Sequence, residues 1–482
     1  MSSVGSRVAD TEIGGLVDLD LTGVWLVDPA SGRQGPGELV VRDGRIESLT
    51  WLAGAEASAI DDRGVVVAPG FIDLHAHLRE PGNEAAETVA TGLAAAAHGG
   101  FTTVCAMPNT TPPIDRAAMV EAARAAAAAS GSPVRPLQIG AVTAGRAGEQ
   151  LAALGELADA GVAGFSDDGS PIQRAELFRN ALAYAGGLGL PIIDHPEDLG
   201  QTSGAEASDG LIATVLGLRG WPAAAEATAV ARDIEILAEV SRDVSGARLH
   251  LTHLSTAASI GHVRRAKAAG LAVTCDVTPH HFALTDEWIA GSRRWAWDAL
   301  DPDTGHARDP WRDRVLEAEP YDSSLRVNPP LRSAVDARAC LEGLLDGTVD
   351  AIATDHAPHT QVDKDVEFGL ARPGIAGIET ALGLMLEAVD AGLLPLTRAL
   401  EALTSGPARV LVAVAGATAT PALTEGAVAD LVVFDRGTRW TVETSAMRSR
   451  GWGGPLLGRA LPGTVRLTVA AGRLAFEATA TA

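Results

Sequence analysis

Residues 65–82 read VVVAPGFIDLHAHLREPG, and the rest of the chain is organised around this stretch. It starts as an uninterrupted apolar run, which is typical of a strand buried on both faces. Polar residues follow, and Asp73, His75, His77 and Arg79 share one face if the strand continues, because side chains alternate along a strand. Two neighbouring imidazoles suit a divalent metal, and a guanidinium can bind a carboxylate through two hydrogen bonds. The same pattern also fits a polar strand end with two hydrogen-bonded histidines, so the rest of the chain has to decide.

The composition sets limits on the class of protein. The 482 residues suffice for one large domain and a smaller one. The net charge of −23 argues against nucleic acid or an anionic membrane as partner, whereas one local arginine and a metal could still bind a small anion. Three widely spaced cysteines give neither a disulfide framework nor a thiolate zinc site. Since we find neither a secretory signal nor an apolar stretch of spanning length, we expect a soluble, cytoplasmic protein.

Strand-like and helix-like patterns alternate between residues 65 and 354. Apolar strand candidates lie at 65–74, 101–107, 135–142, 162–166, 190–194, 247–252, 271–277 and 349–354. Ala-rich amphipathic segments lie between most of them, at 85–98, 117–129, 223–240 and 257–268. Repeated strand–helix units predict parallel strands with right-handed crossovers, and eight units predict a closed (β/α)8 TIM-like barrel in an α/β fold. The alternative is an open doubly wound sheet, which a glycine-rich phosphate loop after the first strand would have favoured.

Short strands and turns at both ends of the chain predict a second, smaller domain. Within residues 15–61, the pair Asp43-Gly44 between alternating apolar residues is typical of a hairpin. Similar strands are predicted at 427–435, 463–470 and 473–476. We therefore expect one small β-sandwich domain built from residues 1–64 and 416–482, flanking a barrel at 65–415. The first twelve residues are expected to form a loose tail.

Polar residues gather at the predicted carboxyl ends of the strands, where barrels of this kind hold their active sites. Seven of the eight ends carry groups that can bind a metal or hydrogen-bond a substrate. The possible metal ligands among them are His75, His77, His195, His253, Asp355 and one of the pair Asp167 and Asp168. Six ligands exceed what one tetrahedral zinc with an open position uses, and they suit two metals about 3.5–4 Å apart. Ligands with only nitrogen and oxygen donors favour Zn²⁺, with Mn²⁺ or Co²⁺ as substitutes.

The chain resembles the amidohydrolase superfamily and, within it, the bacterial type I dihydroorotases. The resemblance covers nearly the whole chain and rests on PGFIDLH at 69–75, MPNT at 107–110, FSDDG at 165–169, NPPLR at 328–332 and ATDHAPH at 353–359. It implies one Zn²⁺ on His75, His77 and Asp355 and a second on His195 and His253. It also implies that Asp168 and a hydroxide bridge the two ions. Arg79, Asn109 and His359 would bind the substrate carboxylate, and Asn328 the pyrimidine ring.

The implied reaction is the reversible hydrolysis of (S)-dihydroorotate to N-carbamoyl-L-aspartate in de novo pyrimidine (UMP) biosynthesis. A metal-bridging hydroxide would attack the ring amide, and Asp355 would carry the proton to the departing nitrogen. Many relatives, such as hydantoinases and allantoinases, bridge their metals with a carboxylated lysine instead. This chain has only Lys267 and Lys364, neither of which follows the fourth strand, so an aspartate is expected at the bridge.

Two other functions stay open at this point. The chain could be another cyclic amidohydrolase that accepts a carboxylated ring, or a silent dihydroorotase homologue that scaffolds aspartate transcarbamoylase, although every expected ligand is present. The segment 292–323, with Trp295, Trp297 and Trp311, is longer than family members usually have. Because tryptophans are enriched at interfaces, we expect it to form a subunit contact in a homodimer.

Overall fold

The computed structural model describes residues 5–8, 12–54, 57–309, 311, 319–411 and 421–478. Within them, strands dominate both ends of the chain, and strands alternate with helices in between. The strands are β1 (Gly5–Val8), β2 (Leu19–Asp28), β3 (Arg33–Arg42), β4 (Arg45–Trp51), β5 (Val65–Pro69), β6 (Phe71–Ala76), β7 (Phe101–Ala106), β8 (Arg135–Gln138), β9 (Ile192–Asp194), β10 (Ala207–Ser208), β11 (Gly220–Trp221), β12 (Leu249–Leu251), β13 (Val273–Val277), β14 (Ala351–Ile352), β15 (Leu431–Thr441), β16 (Ala460–Ala470) and β17 (Arg473–Glu477). The helices are α1 (Val89–His98), α2 (Ala117–Ser130), α3 (Leu154–Asp159), α4 (Ala175–Gly187), α5 (Leu199–Thr202), α6 (Leu211–Leu216), α7 (Ala223–Val240), α8 (Ala257–Ala268), α9 (Pro279–Ala283), α10 (Ala334–Asp346), α11 (Gln361–Lys364), α12 (Ala381–Asp390), α13 (Leu396–Leu403) and α14 (Ser405–Val410).

A sheet of eight strands joins the two ends of the chain. Its order is β17-β16-β15-β5-β2-β3-β4, with β1 paired to β2. The predicted hairpin is present, because Asp43 and Gly44 connect β3 to β4 with positive φ angles of 49° and 71°, as a tight two-residue turn requires. Part of the expected N-terminal tail is instead strand β1, which runs antiparallel to β2.

The expected single strand at 65–74 is two strands that belong to different sheets. β5 pairs with β15 and β2 in the terminal sheet, whereas β6 pairs with β7. Gly70 forms the junction, and a Cβ there would lie 2.2 Å from the Thr102 side chain. The chain therefore changes sheets at the one residue whose lack of a side chain allows so close an approach. The expected boundary at 415–416 lies outside the described residues.

Apart from the short pair β10-β11, the remaining strands form two parallel sheets, β6-β7-β8 and β9-β12-β13-β14. The predicted fourth strand at 162–166 is reduced to isolated bridges from Phe165 to Gly140 and to Ile192. Gly140 is one of the bridge partners and Gly164 precedes Phe165, and glycine weakens strand pairing. A further parallel bridge joins Ala76, at the end of β6, to His356, beyond β14. These bridges lie between the edge strands of one parallel sheet and those of the other.

Helices cover the parallel strands, and aromatic side chains tie this part to the terminal sheet. α7 and α8 have the bounds that the sequence predicts. Phe71 is fully buried and contacts Phe101 at 5.6 Å and Phe434 at 6.4 Å between ring centroids. Among the described residues, no helix combines the length and the apolar character needed to cross a bilayer.

Two of the tryptophans in the long segment, Trp295 and Trp297, contact other side chains of the same chain. Trp295 stacks on Trp297 at 5.6 Å and lies 6.1 Å from Trp288. The guanidinium of Arg459 lies 4.0 Å above the Trp295 ring. The rings of Trp295 and Trp297 thus pack within the subunit. The contact between subunits that we expect of this segment stays a prediction. Residues 310 and 312–318 of the segment lie outside the described residues.

Candidate metal centre and active site

Six predicted metal ligands lie at one end of the parallel strands. His75 lies on β6 and His77 just beyond it, while His195 follows β9 directly. His253 and Asp355 follow the ends of β12 and β14 within three residues. Asp168 lies three residues after the Phe165 bridge. All six side chains are buried, with at most 5% of the residue exposed. Parallel strands bring their carboxyl ends to one edge, which explains how residues so distant in sequence meet.

The carboxylate of Asp168 lies at the centre of the group. Its Oδ1 is 3.4 Å from His75 Nε2, 3.3 Å from His195 Nδ1 and 3.5 Å from His253 Nε2. Its Oδ2 is 3.6 Å from His77 Nε2. One carboxylate therefore faces all four imidazoles. This is the position expected of a carboxylate that binds two metal ions at once.

Asp355 completes a second set on the other side of His75. Its Oδ1 lies 3.1 Å from His77 Nε2 and 3.6 Å from His75 Nε2. The nitrogen His75 Nε2 is buried and makes no hydrogen bond, although it faces both carboxylates. Two ligands about 2.1 Å from one tetrahedral ion lie about 3.4 Å apart, so the observed separations fit atoms that bind a shared cation.

The outward nitrogens of three imidazoles are held by other side chains. His75 Nδ1 lies 2.8 Å from Thr252 Oγ1, His77 Nδ1 lies 2.8 Å from Asn109 Oδ1, and His195 Nε2 lies 2.9 Å from Glu197 Oε2. An acceptor on the outer nitrogen fixes the tautomer and turns the lone pair of the other nitrogen inward. This pairing is a regular feature of histidines that bind metals.

Two buried aspartates hold the backbone of the ligand segments. His253 and Asp355 have positive φ angles of 40° and 44°, which are unfavourable for residues with a side chain. Asp276 accepts a hydrogen bond from the His253 N–H at 2.6 Å. Asp73 accepts one from the Thr354 N–H at 2.9 Å. These carboxylates thus stabilise the unusual backbone that directs both ligands into the site.

The electrostatics favour positive charge at this place. Burial opposes the charged form of His75, but the carboxylates of Asp168 and Asp355 outweigh burial and raise its pKa to about 9. Likewise burial lowers the pKa of His195, but Asp168 and Glu197 raise it to about 10. Burial raises the pKa of Asp168, but the surrounding histidines hold it well below its usual range. A cluster that stabilises imidazolium this strongly also suits a metal cation.

The two neighbouring aspartates after Phe165 face different surroundings. Asp167 Oδ1 accepts hydrogen bonds from the N–H groups of Val142 at 2.9 Å and Thr143 at 3.1 Å, and burial raises its pKa to about 6. Asp168 instead points at the histidines, and its carbonyl oxygen accepts a hydrogen bond from Arg146. The residues alone could not distinguish the two, and the structure places only Asp168 among the imidazoles.

The predicted substrate-binding side chains lie around the same group of metal ligands. Arg79 Nη2 lies 3.4 Å from His359 Nε2, and Arg79 Nε donates to the carbonyl of Pro358 at 3.1 Å. Asn109 donates to Asp168 Oδ2 at 3.3 Å, and Asn328 donates to Glu197 Oε2 at 3.3 Å. All four therefore surround the metal-ligand group, while their roles remain predictions.

A segment from the C-terminal part of the chain forms hydrogen bonds with residues beside the metal ligands. Glu87 is buried and lies 3.2 Å from His356 Nε2, and it accepts a hydrogen bond from Ser449 Oγ at 2.5 Å. The N–H of Trp452 donates to the carbonyl of His359 at 2.8 Å. His356 thus packs behind the ligands.

Sequence reasoning missed several supporting residues. It gave Thr252, Asp276 and His250 no role at the site. His250 is fully buried between Thr274 Oγ1 at 2.8 Å and Asp276 Oδ2 at 2.7 Å. The alternation of residues 249–253 was the available signal, because it turns His250 and Thr252 to the same side of β12.

Neither lysine reaches the metal ligands. Lys267 forms an ion pair with Asp350 at 2.6 Å, and Lys364 donates to backbone carbonyls. A carboxylated lysine between the two ligand sets is therefore excluded by position as well as by sequence.

The chain is similar to several known proteins. A family model described as dihydro-orotase-like matches residues 64–259. A dihydroorotase of Anaeromyxobacter dehalogenans (strain 2CP-C) is 44% identical over 461 residues, which are 95% of this chain and 98% of the relative. A dihydroorotase of Pelotomaculum thermopropionicum is 43% identical over 459 residues, with the same coverage. Among solved structures, an L-hydantoinase from Arthrobacter aurescens matches with a TM-score of 0.74 and 23% identity over 95% of both chains. At that identity the structural match shows a shared fold alone.

Proposed function

The chain belongs to the dihydroorotase family, and on that premise we propose how its side chains perform the reversible hydrolysis of dihydroorotate to N-carbamoyl-L-aspartate. The family membership makes the chain a metal-dependent cyclic amide hydrolase. The finer proposal is that two Zn²⁺ ions bind, one to His75, His77 and Asp355 and the other to His195 and His253. Asp168 would bind both ions.

One observation carries this proposal: a single carboxylate, that of Asp168, lies within 3.3–3.6 Å of four imidazole nitrogens. Two groups with metal-ligand spacing share His75, namely His75 with Asp168 and His253, and His75 with His77 and Asp355. The donors are all nitrogen and oxygen, which suits Zn²⁺. When bound, two such ions would lower the pKa of a shared water toward about 7 and polarise the scissile carbonyl.

Asp355 is proposed to move the proton. Its Oδ1 faces His77 and His75, which leaves Oδ2 to accept a proton from the attacking water. Burial raises the pKa of Asp355, but the contact with His77 Nε2 and the charges of the surrounding histidines outweigh burial and hold the pKa below its usual range. The group is therefore ionised at neutral pH, as a general base must be, and it can pass the proton to the departing ring nitrogen.

Arg79, Asn109 and His359 are proposed to bind the substrate carboxylate. Burial and the neighbouring Arg79 lower the pKa of His359 to about 3, so its ring is neutral and donates from Nε2 to the carbonyl of Pro373 at 2.9 Å. A carboxylate bound beside it would favour the protonated ring, which can donate from both nitrogens. A ring without a carboxylate would leave Arg79 unpaired, which disfavours such substrates.

We also propose that the two parallel sheets close into a (β/α)8 barrel. The Phe165 bridges and the Ala76–His356 bridge support closure at the two gaps between the sheets. The division into domains at 1–64, 65–415 and 416–482 is likewise a proposal, supported by the separate terminal sheet. A cytoplasmic location, a homodimer and a complex with aspartate transcarbamoylase stay predictions.

The test is to assay purified protein with dihydroorotate and with a hydantoin while its metal content is measured. The parent should hold about two metals per chain and favour dihydroorotate. Asp168→Ala should lose both the metal and the activity, whereas Glu121→Ala, a change at an exposed helix residue, should keep them. Full metal content in Asp168→Ala, or faster hydrolysis of the hydantoin by the parent, would contradict the proposal.

A further inference from the structure

Lys364 is a buried cation whose partners are backbone carbonyls. Only 3% of the residue is exposed. Its Nζ donates to the carbonyl oxygens of Arg326 at 3.2 Å, Arg372 at 3.0 Å and Gly374 at 3.0 Å. An ammonium has three N–H donors, so these three carbonyls satisfy it completely. Burying a charge without a carboxylate partner is costly, and here burial lowers the pKa of Lys364 to about 7. The unfavourable burial of the Lys364 ammonium suggests that its three hydrogen bonds serve a function.

The three carbonyls belong to the two segments that carry proposed substrate-binding residues. Arg326 is two residues before Asn328. Arg372 and Gly374 flank Pro373, whose carbonyl accepts the hydrogen bond from His359 Nε2 at 2.9 Å. Lys364 therefore holds both neighbours of Pro373, whose carbonyl orients the His359 ring.

The same two segments are also joined directly. The Gly374 N–H donates to the Arg326 carbonyl at 2.9 Å, so this oxygen accepts from both Gly374 and Lys364. Gly374 has a φ of +147°, and a Cβ there would lie 3.0 Å from His359 Nε2. The backbone thus passes directly against the ring, and a small shift of this segment would move His359.

We propose that Lys364 is a positioning residue that fixes the His359 ring and the Asn328 segment for the substrate carboxylate and ring. It sets the affinity for dihydroorotate rather than the rate of the chemical step, because its partners lie on the substrate side of the site and not on the metal ligands. The inference rests on the substrate-binding roles proposed above for His359 and Asn328. A guanidinium is a planar fork and cannot replace a compact group with three donors.

The experiment compares Lys364→Met with Lys267→Met, which removes the only other lysine. Lys267 is on α8, away from the substrate side, in an ion pair with Asp350. Steady-state kinetics of the metal-loaded enzyme should show KM for dihydroorotate raised about 10-fold or more in Lys364→Met, with kcat within about 3-fold of the parent. Lys267→Met should change both constants by less than about 2-fold. Unchanged KM in Lys364→Met, or a fall in kcat alone, would overturn the inference.

A double-mutant cycle with His359→Ala separates positioning from a general structural effect. If Lys364 acts through His359 and the Asn328 segment, the KM penalty of Lys364→Met should shrink in the His359→Ala background to the part that acts through Asn328. A penalty that persists in full would overturn the inference. If His359→Ala alone leaves KM unchanged, the proposed substrate site is wrong. If His359→Ala raises KM and Lys364→Met does not, only the present inference fails.

Two further measurements cover the case in which Lys364→Met does not fold. Lys364→Gln keeps two N–H donors and should give a KM between those of the parent and a variant without donors; a parental KM would overturn the inference. In the parent, an amine-acetylating reagent followed by mass spectrometry should modify Lys267 in the folded enzyme and Lys364 only in denaturant. Acetylation of both lysines at equal rates in the folded enzyme would also overturn it.

Discussion

Thr252→Val tests whether the residues behind the ligands control metal binding. The Thr252 hydroxyl lies 2.8 Å from His75 Nδ1 and donates to Asp276 Oδ2 at 3.1 Å. Valine has nearly the same shape, so the substitution removes the hydroxyl and leaves the packing intact. The His75 N–H then has no acceptor in a fully buried place, and the ring loses the contact that fixes its tautomer.

The expected size follows from these contacts. A buried donor left unpaired costs about 1–3 kcal/mol. Loss of such an outer partner weakens metal binding or activity about 10- to 100-fold, which corresponds to about 1.4–2.7 kcal/mol. Asp276 keeps its hydrogen bonds from His250 and from the His253 N–H. The weaker metal binding should therefore come from the altered His75 ring and not from a rearrangement of the end of β12.

The assay is a competition of the protein with a metal chelator, followed by kinetics at saturating metal. Thr274→Val is the matched control, because Thr274 Oγ1 also lies 2.8 Å from a histidine, His250, which is not among the proposed ligands. Thr252→Val should lose metal at about 10-fold lower chelator concentration than the control. Equal metal retention by the two variants would refute the reasoning.

Three further outcomes are expected. Arg79→Gln should lower kcat/KM for dihydroorotate about 10- to 100-fold and leave dihydrouracil, which lacks the carboxylate, unaffected; an equal loss for both substrates would contradict the assignment. Burial raises the pKa of Glu87, but hydrogen bonds from His356 and Ser449 outweigh it and lower the pKa below 4.5. Ionised Glu87 therefore stabilises the fold above pH 4.5, and this contribution is lost as the pH falls through the lowered pKa. Urea unfolding at several pH values should show a flatter acid dependence for Glu87→Gln than for the parent. Phe71→Ala, in the contact between the terminal sheet and the parallel strands, should cost about 3–5 kcal/mol of unfolding free energy; a cost below about 1 kcal/mol would show that the contact is not structural.

Much of the fold could be predicted because its signals are local. The bounds of α7 and α8 follow from amphipathic spacing, and the hairpin follows from Asp43-Gly44. The division of 65–74 into two strands could not be predicted, because the apolar run continues across Gly70 and only its contact with Thr102 marks the junction. The fourth strand was overestimated for a similar reason, since apolar residues alone do not show how few backbone pairs form.

The candidate site also has features that the sequence predicts and features that it does not. Histidines and aspartates at strand ends are visible in the sequence, and their positions at these ends predicted the ligand set. The choice between Asp167 and Asp168 depends on which one the backbone N–H groups of Val142 and Thr143 occupy, and that is a tertiary contact. The contacts of Lys364 could not be predicted either, because the sequence around it does not indicate that its ammonium would bind three backbone carbonyls.

The place of β5 in the terminal sheet has a consequence for synthesis of the chain on the ribosome. One edge of Val65–Pro69 pairs with Leu431–Thr441, which is translated after all the parallel strands. At ordinary elongation rates this delay lasts roughly 20 to 70 s. Throughout that time the nascent polypeptide presents an apolar strand with an open edge, the kind of surface that other chains pair with. Protection of this edge by a chaperone should therefore raise the yield of active enzyme.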